Sequence, residues 1–308
     1  MMTLKKFADN VEQHILEYLP EEFAGASVLL QEVVKDTDKR LYGLSVKKKD
    51  LNYAPVLYLE GFYQKHYFEE LSDMEDVMHE IAKAYLEISA ITPDFDIPEL
   101  TRDGVKSRLR LRLINTERNK ENLKNLVHKS LDSGLSMTVV IDVDDSRAAR
   151  VTKNMAEMMS YDEAEMLKDA MENTAQNHPA TLLDLHRVLF GLMGAGISPE
   201  ENLLNGGQTP DEIPSVMVLS TAGQFEGSVA ICYPGITKKI SEVVEGNYYV
   251  LPSSIHEVLV MPDNGMVDPE QLKAMIRSVN TAEVAPHEQL GDDPLFYDSQ
   301  TGLLKIAG

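Results

Sequence analysis

Apolar residues recur every three or four positions over 3–18. Leu4, Phe7, Val11, Ile15 and Tyr18 share one face, which predicts an amphipathic helix stopped at Leu19-Pro20. The pattern then changes period. Residues 27–34 and 40–46 are strand-like runs joined by the polar tract 35–39, a hairpin signature. Pro55 opens an extended segment over 56–59, and Ser72 or Asp73 can cap a helix that turns Val77, Ile81, Tyr85 and Ile88 inward.

Residues 107–115 alternate, with Arg108, Arg110 and Arg112 on one side and Leu109, Leu111 and Leu113 on the other. A period of two predicts a half-buried strand with a cationic outer face. A second strand is expected over 137–144, and helices over 152–159, 162–175 and 179–193, with Ser160 capping the second of these. Residues 196–212 are rich in Gly, Pro, Asn and acids and are the best linker. Beyond it come strands over 215–220 and 227–232, a helix over 236–245, strands over 247–251 and 256–261, a helix over 268–280, and a hairpin from 295–297 and 303–306. Helices alternate with paired short strands, not single ones. The expected fold class is therefore α+β, two lobes with mainly antiparallel sheets. The expected division is 1–195, a linker over 196–212, and 213–308.

Composition narrows the function classes. The 308 residues carry 29 Lys and Arg against 50 Asp and Glu, a net charge of −21, with one Cys and no Trp. One cysteine excludes a disulfide framework and multi-thiolate metal sites. The negative balance argues against coating nucleic acid, because that affinity comes from cations neutralising phosphates. The charge is uneven. Up to position 150 there are 21 basic and 27 acidic residues, a balance of −6, and beyond it 8 and 23, a balance of −15. Within the first half, 102–129 is a +6 island. No apolar h-region follows the N-terminal lysines, and no stretch approaches the ~20 apolar residues of a membrane span. With a lone thiol at Cys232, the expected compartment is the cytoplasm.

Candidate chemistry is sparse. There is no P-loop, no dinucleotide fingerprint, no zincin pair and no nucleophile elbow. No motif calls for a cofactor. Asp142 and Asp144 could offer hard oxygens to Mg²⁺ or Ca²⁺, but as a strand end they read equally as solvated acids paired with the arginine strand. Arg108, Arg110 and Arg112 could grip an anion through guanidinium forks, or be neutralised by the chain's own carboxylates. The densest polar cluster is 252–257, where Ser253, Ser254, His256 and Glu257 are all triad residue types. Neighbours on a strand point to opposite faces, so a capping Ser beside a buried His is the simpler reading.

Several of these residues carry a resemblance. Tyr18-Leu19-Pro20, Pro55-x2-Tyr58-Leu59-Glu60-x-Phe62-Tyr63, Thr152-x-Asn154-Met155 and Cys232-Tyr233-Pro234-Gly235 recur with Tyr249-x-Leu251-Pro252-Ser253-Ser254-Ile255-His256-Glu257-Val258, Val279-Asn280 and Val284-Ala285-Pro286-x-Glu288. On these motifs the chain resembles an uncharacterised bacterial family, a domain of unknown function common in gut anaerobes. The order helix, Asn-Met, helix, strands is similar to a second uncharacterised bacterial family. Neither resemblance implies an activity, ligand or site residue. The sequence therefore points to a non-enzymatic interaction or regulatory protein whose partner is another protein, with self-association open. The alternatives are a hydrolase or transferase at 252–257 and an acidic nucleic-acid mimic.

Overall fold

The computed structural model describes residues 2–34, 36–49, 54–68, 73–91, 101–144, 147–191, 201–206 and 213–307. The fold is α+β with three mainly antiparallel sheets, arranged in two compact units, Met1–Asp96 and Ile97–Gly308.

In the first unit α1 (Leu4–His14) starts where Thr3 Oγ1 accepts from the Lys6 N–H, and it buries Phe7, Ala8 and Val11. The expected helix continues past His14 only as a single 3₁₀ turn, Ile15–Glu17. β1 (Ser27–Val34) and β2 (Arg40–Lys47) form the expected hairpin, with Ser27 opposite Lys47, and β3 (Leu57–Tyr58) joins β2. Two further helices, α2 (Glu60–Phe68) and α3 (Met74–Ile91), follow. Asp73 caps α3, its Oδ1 accepting from the Glu75 N–H at 3.2 Å; Ser72 lies outside the described residues. Val77, Ile81 and Tyr85 of α3 enter one core with Phe7, Val11 and Leu44. The Tyr85 hydroxyl accepts from the Val46 N–H at 2.7 Å, which gives that buried phenol a partner.

The second unit begins with α4 (Arg102–Lys106), β4 (Leu109–Asn115), α5 (Lys120–Leu123), β5 (His128–Ser130), β6 (Leu135–Asp144) and β7 (Arg147–Arg150). These strands form a sheet in the order β4-β6-β5, with β7 also on β6. Next come α6 (Lys153–Met158) and α7 (Glu163–Asn177), β8 (Ala180–Asp184), α8 (Leu185–Phe190), β9 (Met217–Thr221), α9 (Ile236–Val243), β10 (Tyr248–Leu251), β11 (Val258–Pro262), α10 (Pro269–Glu283), β12 (Leu295–Asp298) and β13 (Leu303–Ile306). The last six strands form a second sheet in the order β13-β12-β10-β11-β9-β8.

Four expectations change. The helix expected over 179–193 is a strand followed by a short helix, because Leu182 and Leu183 pair with Leu219 and Val218 of β9, and Asp184 then caps α8 by accepting from the His186 N–H. The strand expected over 227–232 is a buried 3₁₀ segment, Gly227–Cys232. The cap of α7 is Asp162, not Ser160. The division expected at 196–212 is not where the units separate. β8 and β9, on either side of it, are paired, and one apolar core holds Leu111 and Val139 of the first sheet with Leu219 and Val250 of the second. Of that stretch only 201–206 is described.

Two strand edges are closed by side chains instead of strands. Thr174 Oγ1 of α7 accepts from the Leu111 N–H of β4 at 2.9 Å. Asn202 accepts from the Leu182 N–H and donates to the Ala180 carbonyl, both at 3.0 Å. Edge groups satisfied in this way are poor templates for adding another strand. Among the described residues no helix is long and apolar enough to cross a membrane.

Candidate functional site

The six-stranded sheet has two unlike faces. Met217, Leu219, Tyr248, Val250, Val258 and Val260 alternate into the main core. On the opposite face, Leu272 and Ile276 of α10 pack against Tyr249 and Leu251. Over β8 and β9 that face is hollow. A cavity of about 530 Å³ opens there, floored by Leu183, Val218 and Leu259. Register explains the floor, since Val218 lies directly across from both Leu183 and Leu259. Leu185, Val188 and Leu189 of α8 wall one side; Glu283, Val284 and Glu288 line another. Phe225, 60% exposed, and Leu189, 50% exposed, stand among the lining residues. Within the same unit a second hollow of about 440 Å³ lies by β12 and β13, lined by Tyr249, Phe296, Leu303 and Lys305, and holds none of the candidate site residues named from the sequence.

The segment 252–257 does reach the large cavity: Ser254, His256 and Glu257 all line it. Their side chains are not arranged as a triad. His256 Nδ1 accepts from the Glu226 backbone N–H at 3.2 Å, which puts the neutral ring's proton on Nε2. Nε2 lies 3.5 Å from Glu288 Oε1. Ser254 Oγ donates to Glu257 Oε1 at 2.7 Å and accepts from the N–H groups of His256 (3.1 Å) and Glu257 (3.4 Å), so its donor and both acceptor sites are in use. Ser253 is buried and donates to Asn280 Oδ1 at 3.2 Å, while Asn280 Nδ2 donates to the Gly291 carbonyl at 2.9 Å. Neither hydroxyl is hydrogen-bonded to the imidazole.

Beside the cavity lies the turn 222–227, Ala-Gly-Gln-Phe-Glu-Gly. Gln224 and Glu226 hold left-handed backbones, φ 51° and 49°, a cost of about 1 kcal/mol or more each for residues with a Cβ. Gly227 follows because nothing larger fits. A Cβ there would lie 2.5 Å from the Thr221 backbone nitrogen and 2.9 Å from the His256 carbonyl. The strained turn is held from below. Glu226 Oε2 accepts from Arg110 Nη1 at 2.6 Å, and Glu226 Oε1 lies 3.1 Å from Arg112 Nε. Arg110 Nε also donates to Asp142 Oδ1 at 3.1 Å. Burial pulls the Arg110 guanidinium down most strongly, but the bonds and charges of Asp142 and Glu226 together hold it above its ordinary pKa.

The arginine stripe is therefore not the cationic outer face its alternation suggests. Arg110 is buried and Arg112 largely so, beneath Glu226 and the 3₁₀ segment that follows; Arg108 alone of the three is exposed. Asp142 is one of the neutralising acids, and the Asp144 side chain lies outside the described residues. Among the described residues no group of three or more His, Cys, Asp or Glu side chains could hold a metal ion. Sequence reasoning missed Glu226, Phe225 and Leu189, and named Glu288 only within the resemblance. For Phe225 and Glu226 the signal was the pair of glycines bracketing Gln-Phe-Glu, Gly223 and Gly227.

The model of a family of unknown function (DUF5688) matches residues 4–299. The chain belongs to that family. No curated protein and no solved structure matches it.

Proposed function

We propose that the chain is a non-enzymatic binding protein, with an interaction or regulatory role, and that its recognition site is the cavity beside His256. The observation that carries this reading is an apolar-floored hollow of about 530 Å³ with Phe225 and Leu189 left exposed beside it. Ligand sites are typically hollows of about 300–1,000 Å³ with an apolar lining and a few convergent polar groups. Exposed apolar side chains gathered in one place mark a surface that something else covers.

Catalysis finds less support in the geometry. A general base needs a free lone pair within reach of the proton it removes, and His256 Nδ1 already accepts from the Glu226 N–H. Ser253 and Ser254 are engaged elsewhere. A hydrolase or transferase reading rests on the contact between His256 Nε2 and Glu288 alone. A reducing compartment, which suits the lone Cys232, belongs to the same proposal.

The test is a titration of the methyl-labelled chain with 2-phenylethanol, followed on Leu and Val methyls. Saturable shifts at Leu183, Leu189, Val218 and Leu259 are expected. Shifts that never saturate there, with this alcohol or with its ammonium and carboxylate counterparts, overturn the site, and fluorophosphonate labelling of Ser253 or Ser254 overturns the non-enzymatic reading.

A further inference from the structure

Among the described residues, three carboxylates line the cavity, from Glu257, Glu283 and Glu288, and no Lys or Arg does. Elsewhere in the unit, several acids meet cations of the same chain. Glu165 pairs with Arg102, Asp169 with Lys106, Glu226 with Arg110, Glu201 with Arg187, Asp292 with Arg118 and Asp293 with Lys273. Among the described residues, none of the three cavity acids pairs with Lys or Arg. Their partners are the Ser254 hydroxyl for Glu257, and His256 and His287 for Glu288. An anionic ligand here would meet like charges beside an apolar wall, while a cation would gain charge-assisted hydrogen bonds.

Resting on the reading of this cavity as a binding site, we infer that its ligand is a small organic cation. Its ammonium lies against Glu257, Glu283 and Glu288, and its apolar stem lies over Leu183, Val218 and Leu259. The volume, about 530 Å³, suits a molecule of that kind. A peptide adding itself as a strand is disfavoured, because the free edge of β8 is already bonded at Leu182 N–H and the Ala180 carbonyl by Asn202.

The probes are 2-phenylethylammonium, 2-phenylethanol, 3-phenylpropionate and acetyl-Leu-Lys-Leu-amide, titrated into the full chain at neutral pH with the cavity methyls as readout. The ammonium should bind about tenfold more tightly than the alcohol, with the propionate weakest. Glu283→Gln together with Glu288→Gln should remove most of the ammonium's advantage over the alcohol, with Glu257 supplying what is left. Glu283→Gln alone, at an exposed position, should move the ammonium in the same direction and serves if the double variant does not fold. Equal binding of ammonium and alcohol, or tightest binding of the propionate, overturns the cationic assignment while the cavity reading stands. Tighter binding of the peptide than of the ammonium overturns the small-molecule assignment. No saturable shift with any probe overturns the cavity reading and this inference together.

Discussion

Replacing Glu226 by Gln removes the charge that the buried end of the arginine strand faces. The Arg110 side chain is 8% exposed and that of Glu226 10%, so water cannot take over the lost interaction. Breaking a buried pair by deleting one partner costs about 3–5 kcal/mol, since the remaining charge stays desolvated. Two features place this case at the low end. Asp142 remains 3.1 Å from Arg110, with a side chain 37% exposed, and Gln still offers a carbonyl acceptor. About 3 kcal/mol is expected. In a unit of this size each kcal/mol lowers the midpoint by about 2–4 °C, so the transition should fall by about 6–12 °C. Differential scanning calorimetry of the full chain reads it directly. Asp9→Asn, which breaks the exposed Lys5–Asp9 pair, is the control and should cost under about 0.5 kcal/mol. Loss of the Glu226 tether should also loosen the turn that carries Phe225 and weaken 2-phenylethanol binding. A Glu226→Gln midpoint equal to that of Asp9→Asn would refute the buried-pair reasoning.

Gly227→Ala should destabilise by about 3 kcal/mol or prevent folding, because the new Cβ meets backbone atoms of Thr221 and His256 that cannot yield; a denaturation midpoint within error of the parent would contradict it. Cys232 packs against the main core, and burial pushes its thiol up to about 12. At pH 8 only about one thiol in ten thousand is then thiolate, so iodoacetamide should label it far more slowly in the native chain than in urea, as mass spectrometry would show. Burial, with the Arg110 charge adding to it, holds His178 below its ordinary value of 6.5. As pH falls below that value the unfolded chain takes up a proton that the folded chain resists, so stability declines toward acid. The Tm of His178→Gln should decline less between pH 7 and pH 5 than that of the parent, and parallel curves would rule out this residue as a source.

Most elements of the first unit were legible because their signals are local. The heptad-like run from Leu4 to Tyr18, the hairpin tract after Val34 and the inward stripe of Val77, Ile81 and Tyr85 each depend on neighbours a few positions away. The α+β class and the closing hairpin of β12 and β13 were legible for the same reason. Local pattern misled where a short apolar run suits two structures. Ala180–Asp184 is a strand only because β9, beginning more than thirty residues later, pairs with it. The 227–232 run has strand-like composition but curls into a 3₁₀ segment, packed where only Gly227 fits. The cluster at 252–257 lies along the cavity, and Ser254 caps the local backbone as the simpler reading of the sequence expects. Its serines serve the backbone and Asn280, not the imidazole.

The sequence by itself determined the class of elements, the acidic balance and the absence of the common catalytic motifs. Only the tertiary structure decided what becomes of the arginine strand. Arg110 meets Glu226 across 116 residues of chain, and this turns an apparent cationic face into a buried support for the turn beside the cavity. Periodicity reports which side of a strand is polar. It carries no information about which distant acid will cover that side, because burial and ion pairing depend on distance in space and not on separation along the chain.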